Sequence, residues 1–317
     1  MQPFEPLRWL RGPHGQTVFG TFLRRAPRLP LRRERWELSD GDFLDVDRLD
    51  GAKEAPLLVV LHGLEGSSSS HYVRGLLAQA RRRGWRGLAL NFRSCSGELN
   101  RLVRSYHSGE TGDLAEAVAR ARNESPGAPL LLAGCSLGGN VMVKWLGEQG
   151  DAAPVRAAVG LSVPFDLKLC ARALDAPDPM AFVYRTRFLR TLKRKALEKA
   201  QRFPQIDSVR VRSARTLFEF DEALTAPVHG FASAPDYWAR SSSGPYVPRI
   251  RLPLLLIAAE DDPFIPPECL PRTAAAANAC VTLEVYPKGG HLGFVAGPYL
   301  PWFWAEHRAA EFLAAHL

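Results

Sequence analysis

Cysteine is scarce in this chain: five residues, an odd number without regular spacing. That argues against a disulfide framework and for reduced thiols in a cytosolic protein. The opening MQPFEPLRWLRGPHGQT lacks an apolar stretch of the length a signal peptide or membrane anchor requires, so a cytoplasmic location is expected. Internal repeats and low-complexity tracts are absent, and so is any nucleic-acid-binding motif. The net charge is +8, from 41 Lys and Arg against 33 Asp and Glu. The arginines are spread along the chain, the pattern of a solvated basic surface. Such a surface excludes nucleic acid as the expected partner and allows weak attraction to an anionic membrane. No pattern calls for a metal ion or a cofactor.

What is present is an ordinary globular composition, 46% hydrophobic and 23% charged, in 317 residues. That length suffices for one large α/β domain with an insertion, or for two modest domains. Residues 33–39 and 43–48 flank a Ser-Asp-Gly-Asp turn and predict an antiparallel hairpin. LLVVL at 57–61 is a short, wholly apolar run of the kind that fills a central parallel strand. A helix over 71–83, a strand in WRGLALNF, a helix over 110–122 and a strand over 129–133 follow. Residues 137–148 predict a helix and 155–161 a strand. From 164 to about 245 the rhythm breaks, with no convincing apolar strand and many Arg, Lys, Phe and Pro. LLLIA at 254–258 and residues 281–286 resume it, and 299–317 predict a closing helix. Alternating strands and helices imply a mostly parallel sheet with helices on both faces. Residues 1–163 and 246–317 are therefore expected to build one α/β core, and 164–245 a helical cap inserted into it.

The sequence LLLAGCSLGGN at 130–140 leaves an apolar strand and sets a serine between glycines. Gly134-Cys135-Ser136-Leu137-Gly138 satisfies Gly-X-Ser-X-Gly in a strand-to-helix context, the requirement for a nucleophile elbow. A glycine turn whose serine merely caps the helix would read alike. What separates the two is the company the serine keeps. A serine hydroxyl needs an adjacent base, itself oriented by a carboxylate, in the chain order Ser, Asp or Glu, His. Strand 254–258 runs into Ala259-Glu260-Asp261-Asp262-Pro263-Phe264. Strand 281–286 runs into Pro287-Lys288-Gly289-Gly290-His291. Both loops fall at the carboxyl edge of a parallel sheet, where ligands bind. His291 is the expected base. Asp262 is preferred as its partner because it directly precedes the Pro-Phe-Ile-Pro turn, with Asp261 the alternative. An oxyanion hole needs two backbone donors. Leu137 supplies one, and Leu64, in the His62-Gly63-Leu64-Glu65-Gly66 loop after LLVVL, is expected to supply the other. His62 precedes the serine in chain order and reads as a brace for that loop. Cys135 reads as a packed thiol.

These motifs resemble the YheT-like branch of the α/β-hydrolases, related to plant embryogenesis-associated proteins and animal abhydrolases. The likeness includes Pro13-His14-Gly15-Gln16-Thr17, His62–Ser67, Asn91–Gly97, Tyr106–Gly109, Gly134–Asn140 and Val163–Leu167. It continues through Phe220-Asp221-Glu222, Thr225-Ala226-Pro227, Gly230-Phe231, Asp261–Phe264 and Gly289–Phe294. The resemblance implies an α/β-hydrolase fold, a Ser-Asp-His triad and carboxylester hydrolase activity toward short- to medium-chain or acylglycerol esters. The expected partner is thus a small-molecule ester or lipid-like substrate. Acyl transfer by the same triad, or a non-catalytic binding protein on this fold, are the competing readings. Within the expected cap, residues 182–202 place Phe188, Leu189, Leu192 and Ala196 at helical spacing, with Arg187, Arg190, Lys193 and Arg194 facing solvent. The stripe either packs on the core or also roofs an acyl pocket.

Overall fold

The computed structural model describes residues 3–317, and its elements follow the patterning. Helix α1 (Pro13–Phe22) opens on a proline, whose fixed φ and missing N–H suit a first turn. Strands β1 (Leu31–Glu37) and β2 (Phe43–Leu49) pair antiparallel, Leu31 opposite Leu49 and Glu37 opposite Phe43. Then come β3 (Leu57–Leu61), α2 (His71–Arg82), β4 (Arg86–Asn91), α3 (Gly112–Glu124), β5 (Leu130–Cys135), α4 (Leu137–Gln149) and β6 (Ala157–Leu161). A helical insert separates β6 from the next strand. It holds α5 (Leu167–Asp175), α6 (Pro179–Ala200), α7 (Ser208–Ser213), α8 (Leu217–Phe220), α9 (Ala226–His229) and α10 (Ala234–Ser241), with a π-helical turn at Asp221–Thr225. The chain closes with β7 (Leu254–Ala259), α11 (Arg272–Ala276), β8 (Val281–Tyr286), the short pair β9 (Val295–Ala296) and β10 (Trp302–Phe303), and α12 (Trp304–Ala314).

Strands β1 to β8 form one sheet in the order β1-β2-β4-β3-β5-β6-β7-β8. Neighbours from β4 to β8 are parallel, while β2 is antiparallel to both β1 and β4. The expected mostly parallel α/β sheet is what the chain builds. Its central strands are apolar throughout because both faces are covered. Val59, Leu61, Leu88, Leu132 and Leu256 pack into one core with α3 and α4. Their neighbours Leu58, Val60, Ala89, Leu131 and Ile257 pack into the other with α2 and α12. The strand period of two survives inside runs that look featureless in sequence.

Two of the expected elements start three or more residues from where the sequence reading placed them. Helix α6 starts at Pro179, three residues earlier than expected, because Asp178 caps it by accepting the N–H groups of Met180 and Ala181. The last helix starts at Trp304 instead of 299. Pro301 disfavours helical torsions at the residue before it, and Trp302 and Phe303 pair instead with β9.

A buried arginine ties the β1–β2 turn to the body of the sheet. The Arg93 guanidinium meets Asp113 at 2.7 Å, Asp40 at 2.8 Å and Asp42 at 3.0 Å, and Asp42 is itself fully buried. Asp42 also accepts from Asn100 Nδ2 and from the Arg101 N–H. Removing the cation would leave buried carboxylates uncompensated. Arg93→Met is therefore expected to cost about 3–5 kcal/mol, read by urea denaturation, with Arg93→Lys recovering part of it.

Candidate active site

One residue makes the whole turn from β5 to α4. Ser136 sits at φ 52°, ψ −123°, a conformation disfavoured for any residue with a Cβ. Its N–H donates to the Leu161 carbonyl at the end of β6, and its carbonyl accepts from Asn140 N–H. The crossing is too tight for side chains on either side. A Cβ on Gly134 would lie 2.6 Å from Gly139 Cα, and one on Gly138 would lie 2.5 Å from the His62 carbonyl oxygen. These glycines are required for space. The reversal leaves the Ser136 side chain over the amino end of α4, whose first-turn N–H groups have no intrahelical acceptor.

The structure brings Ser136, His291 and Asp262 together. His291 Nε2 is 2.9 Å from Ser136 Oγ, and His291 Nδ1 is 2.8 Å from Asp262 Oδ2. An ionised Asp262 accepts only, so Nδ1 carries the proton and Nε2 is left to accept from the serine hydroxyl. Asp262 is buried, and its Oδ1 accepts the N–H groups of Phe264 and Ile265 at 2.8 and 3.3 Å. Asp261 lies elsewhere. It accepts the Gly290 N–H at 2.8 Å, and burial raises its carboxyl pKa. It braces the histidine loop from outside the chain of hydrogen bonds.

The loop after β3 passes directly over the serine, so closely that a Cβ on Gly63 would meet Ser136 Cβ at 3.1 Å. Gly63 N–H donates to the Tyr72 hydroxyl and Glu65 N–H to the Tyr106 hydroxyl. Between them, the Leu64 N–H has no acceptor among the described residues. The other expected donor, the Leu137 N–H, belongs to the first residue of α4, directly after Ser136. His62 is fully buried beneath this loop. Its Nε2 accepts the Phe92 N–H at 3.1 Å, so Nδ1 donates to the Gly63 carbonyl at 2.7 Å. Cys135 is enclosed in the core, and burial raises its thiol pKa.

Sequence reasoning assigned no role to Gln16 and Thr17, yet both hold the histidine loop. Thr17 Oγ1 accepts the His291 N–H at 2.9 Å. The buried Gln16 amide donates to the Val295 carbonyl and accepts the Val295 N–H. Loop residues Gly290, Leu292 and Phe294 all have positive φ, a conformation that needs such outside support. In the sequence, Gln16 and Thr17 look like any polar helix start.

Ser136 and His291 stand between two spaces. An inner chamber of about 170 Å³ lies under the insert, with Leu137, Leu167, Leu174, Phe188, Leu192 and Phe264 on its walls. An outer cleft of about 640 Å³ runs between α1, the Ser67–Tyr72 stretch and the start of α6. The single stripe read from α6 divides in two. Phe188, Leu192 and Ala196 line the chamber, whereas Leu189 packs with Val211 and Phe220 into a small core of the insert itself. Arg187, Arg190 and Arg194 are exposed. Lys193 is not free in solvent as expected, because it is half-buried and donates to the Arg212 carbonyl. Among the described residues no helix is long and apolar enough to cross a membrane.

Burial has lowered the pKa of three histidines around this site: His62 to about 4, His107 and His229 to about 3. A folded-state pKa below the ordinary value near 6.5 means the native state binds fewer protons than the unfolded chain. The stability these rings contribute is complete above about pH 6.5 and is lost as pH falls toward 4. Thermal midpoints recorded from about pH 8 to about pH 4 should therefore drop below about 6.5. A flat profile would mean that the rings take up protons without unfolding.

Comparison with known proteins agrees with this fold. The family described as alpha/beta hydrolase fold matches residues 56–298. "Putative esterase YheT" of Escherichia coli (strain K12) is 38% identical, covering 99% of this chain and 94% of its own length. "Phospholipase ABHD3" of Mus musculus is 30% identical over 93% of this chain and 74% of its own. "Embryogenesis-associated protein EMB8" of Picea glauca is 30% identical over 98% of this chain and 72% of its own. Among solved structures, the Pyrococcus furiosus esterase Pf2001 superposes with a TM-score of 0.60 at 16% identity, over 91% of this chain and 92% of that one, a likeness of fold alone. A mostly parallel eight-stranded sheet, a serine turn between β5 and α4, and these matches lead to one conclusion: the chain belongs to the α/β-hydrolase family, in its esterase- and lipase-like YheT branch.

Proposed function

We propose that the protein is a serine carboxylester hydrolase that works through an acyl-enzyme. The observation that carries this reading is the unbroken line Ser136–His291–Asp262, at 2.9 and 2.8 Å. Ser136 Oγ attacks the ester carbonyl as His291 Nε2 takes its proton, and Asp262 stabilises the imidazolium that forms. The developing oxyanion accepts from the N–H groups of Leu64 and Leu137. Collapse expels the alcohol, which takes the proton from His291. Water then gives a proton to His291 and attacks the acyl group, releasing the acid and restoring Ser136. The acyl chain occupies the inner chamber and the alcohol leaves by the outer cleft. In this reading residues 164–245 are a cap over a core made of 1–163 and 246–317. A small, mostly apolar chamber suits short to medium acyl chains.

Fluorophosphonate should label Ser136, and Ser136→Ala should abolish both labelling and ester turnover. His291→Ala should lower kcat by several powers of ten, roughly the loss seen when triad members are removed elsewhere. Asp262→Asn should cost far more activity than Asp261→Asn in equally folded protein. Normal turnover by folded Ser136→Ala protein would falsify the mechanism.

The cap makes a separate prediction. Leu192→Trp fills the chamber, so kcat/KM for a long-chain p-nitrophenyl ester should fall about tenfold or more relative to the acetate, with thermal stability little changed. Reversal of Arg190 and Arg194 to Glu should weaken binding to anionic vesicles and leave hydrolysis of a soluble short ester as it was. Loss of stability without a change in chain-length preference would place the acyl pocket under another part of the cap.

A further inference from the structure

The inner chamber is not uniformly apolar, and one of its polar groups is short of a partner. Glu65 follows directly on Leu64, so its side chain starts one residue from a proposed oxyanion donor. That side chain is 6% exposed. Its Oε1 accepts from both the Tyr106 hydroxyl and Lys195 Nζ, each at 2.8 Å. Its Oε2 is shut off from water and accepts from no group among the described residues. Buried carboxylate oxygens are rarely left bare, because each has lone pairs that water would otherwise satisfy.

The group is also held in place at a cost. Glu65 has φ 55°, uncommon for a residue with a side chain and typical of strained functional positions. Tyr106 fixes it twice, accepting the Glu65 N–H at 2.9 Å and donating to the carboxylate. Tyr106 is itself stacked on Phe92, with centroids 5.5 Å apart. A purely structural clamp between the oxyanion loop and α6 would need one carboxylate oxygen, and Oε1 already serves it.

We propose that Glu65 reads the substrate: as the acyl chain enters, the carboxylate turns to bring Oε2 to the chamber, where it accepts a hydrogen bond from a hydroxyl on that chain, close to the ester carbonyl. The favoured substrate is thus a hydroxyacyl ester. Lys195 beside Glu65 makes the pair neutral overall, which favours a neutral donor over an ammonium. Glu65 itself borders both the inner chamber and the outer cleft, but its partners Tyr106 and Lys195, which fix the carboxylate, border the inner chamber alone, and this favours the acyl side. This inference rests on the esterase reading above.

The test compares kcat/KM for p-nitrophenyl 3-hydroxybutyrate, each enantiomer, with that for p-nitrophenyl butyrate. Wild-type protein should prefer one hydroxyacyl ester by about tenfold, the worth of one net hydrogen bond. Glu65→Met should bring the ratio to about one, as should Glu65→Met/Lys195→Met, which removes both charges and guards against misfolding of the single variant. A wild-type ratio near one overturns the proposal, with or without folded variants. So does a variant that slows both esters equally, which is what a structural clamp would do. A parallel pair, glycerol monobutyrate against ethyl butyrate, should keep its ratio in the variants; if that ratio moves instead, the donor is on the alcohol and the acyl assignment is wrong. Absence of Ser136-dependent turnover of plain butyrate would sink the esterase reading itself, an outcome distinct from lost selectivity.

Discussion

Strand β5, helix α4 and the end of strand β3 meet with no space for a side chain between them, and the site is organised around that contact. Gly134 faces the backbone of Gly139, and Gly138 faces the carbonyls of Leu61 and His62, each closer than a Cβ would permit. Because the helix packs this tightly on the strands, the connection between them can be no longer than one residue. That residue, Ser136, is forced to positive φ and carried out over the helix amino end. The same contact presses the loop after β3 against the serine, so that Gly63 passes within touching distance of its Cβ. The serine, the helix terminus and the loop above them are thus set by one steric fact.

Around this contact, polar side chains, most of them buried, tie loops at the carboxyl edge of the sheet to distant parts of the chain. His62 holds the loop after β3 to Phe92. Gln16 and Thr17 hold the loop after β8. Asn140, on α4, bonds the Ser108 and Ser241 carbonyls and the Ser243 N–H, joining the helix to both ends of the chamber wall. The residues with side chains at positive φ, Glu65, Ser94, Ser136, Ser162, Leu292 and Phe294, all lie in segments following β3, β4, β5, β6 or β8. Strain of this kind persists where neighbouring structure over-determines the conformation, and these polar braces supply that constraint.

The insert has its own small core, formed by Leu189, Ala196, Ile206, Val211 and Phe220. Helix α6 gives Leu189 to this core and Phe188 to the chamber, while Leu192 and Ala196 touch both. Chamber and insert core therefore meet at these shared positions. This also explains why the helix reads as a single broad stripe: two partners lie on adjacent faces, and hydrophobicity alone does not say which residue meets which.

Fold class was legible because burial on both faces of a parallel sheet leaves apolar runs of strand length, as at 57–61 and 254–258, alternating with amphipathic helices. Ser136, Asp262 and His291 were legible because each stands just past such a run, in a loop whose glycines or prolines mark a turn. The choice between Asp261 and Asp262 rested on a proline turn in the sequence; in three dimensions it rests on which carboxylate points at His291 and which at the Gly290 N–H. The roles of Gln16, Thr17, Glu65 and Tyr106 were invisible, since their partners lie from 41 to 279 residues away for the bonds that define them. Periodicity records how each segment meets its nearest layer. Long-range polar pairing is set by where loops converge, and only the packed chain decides that.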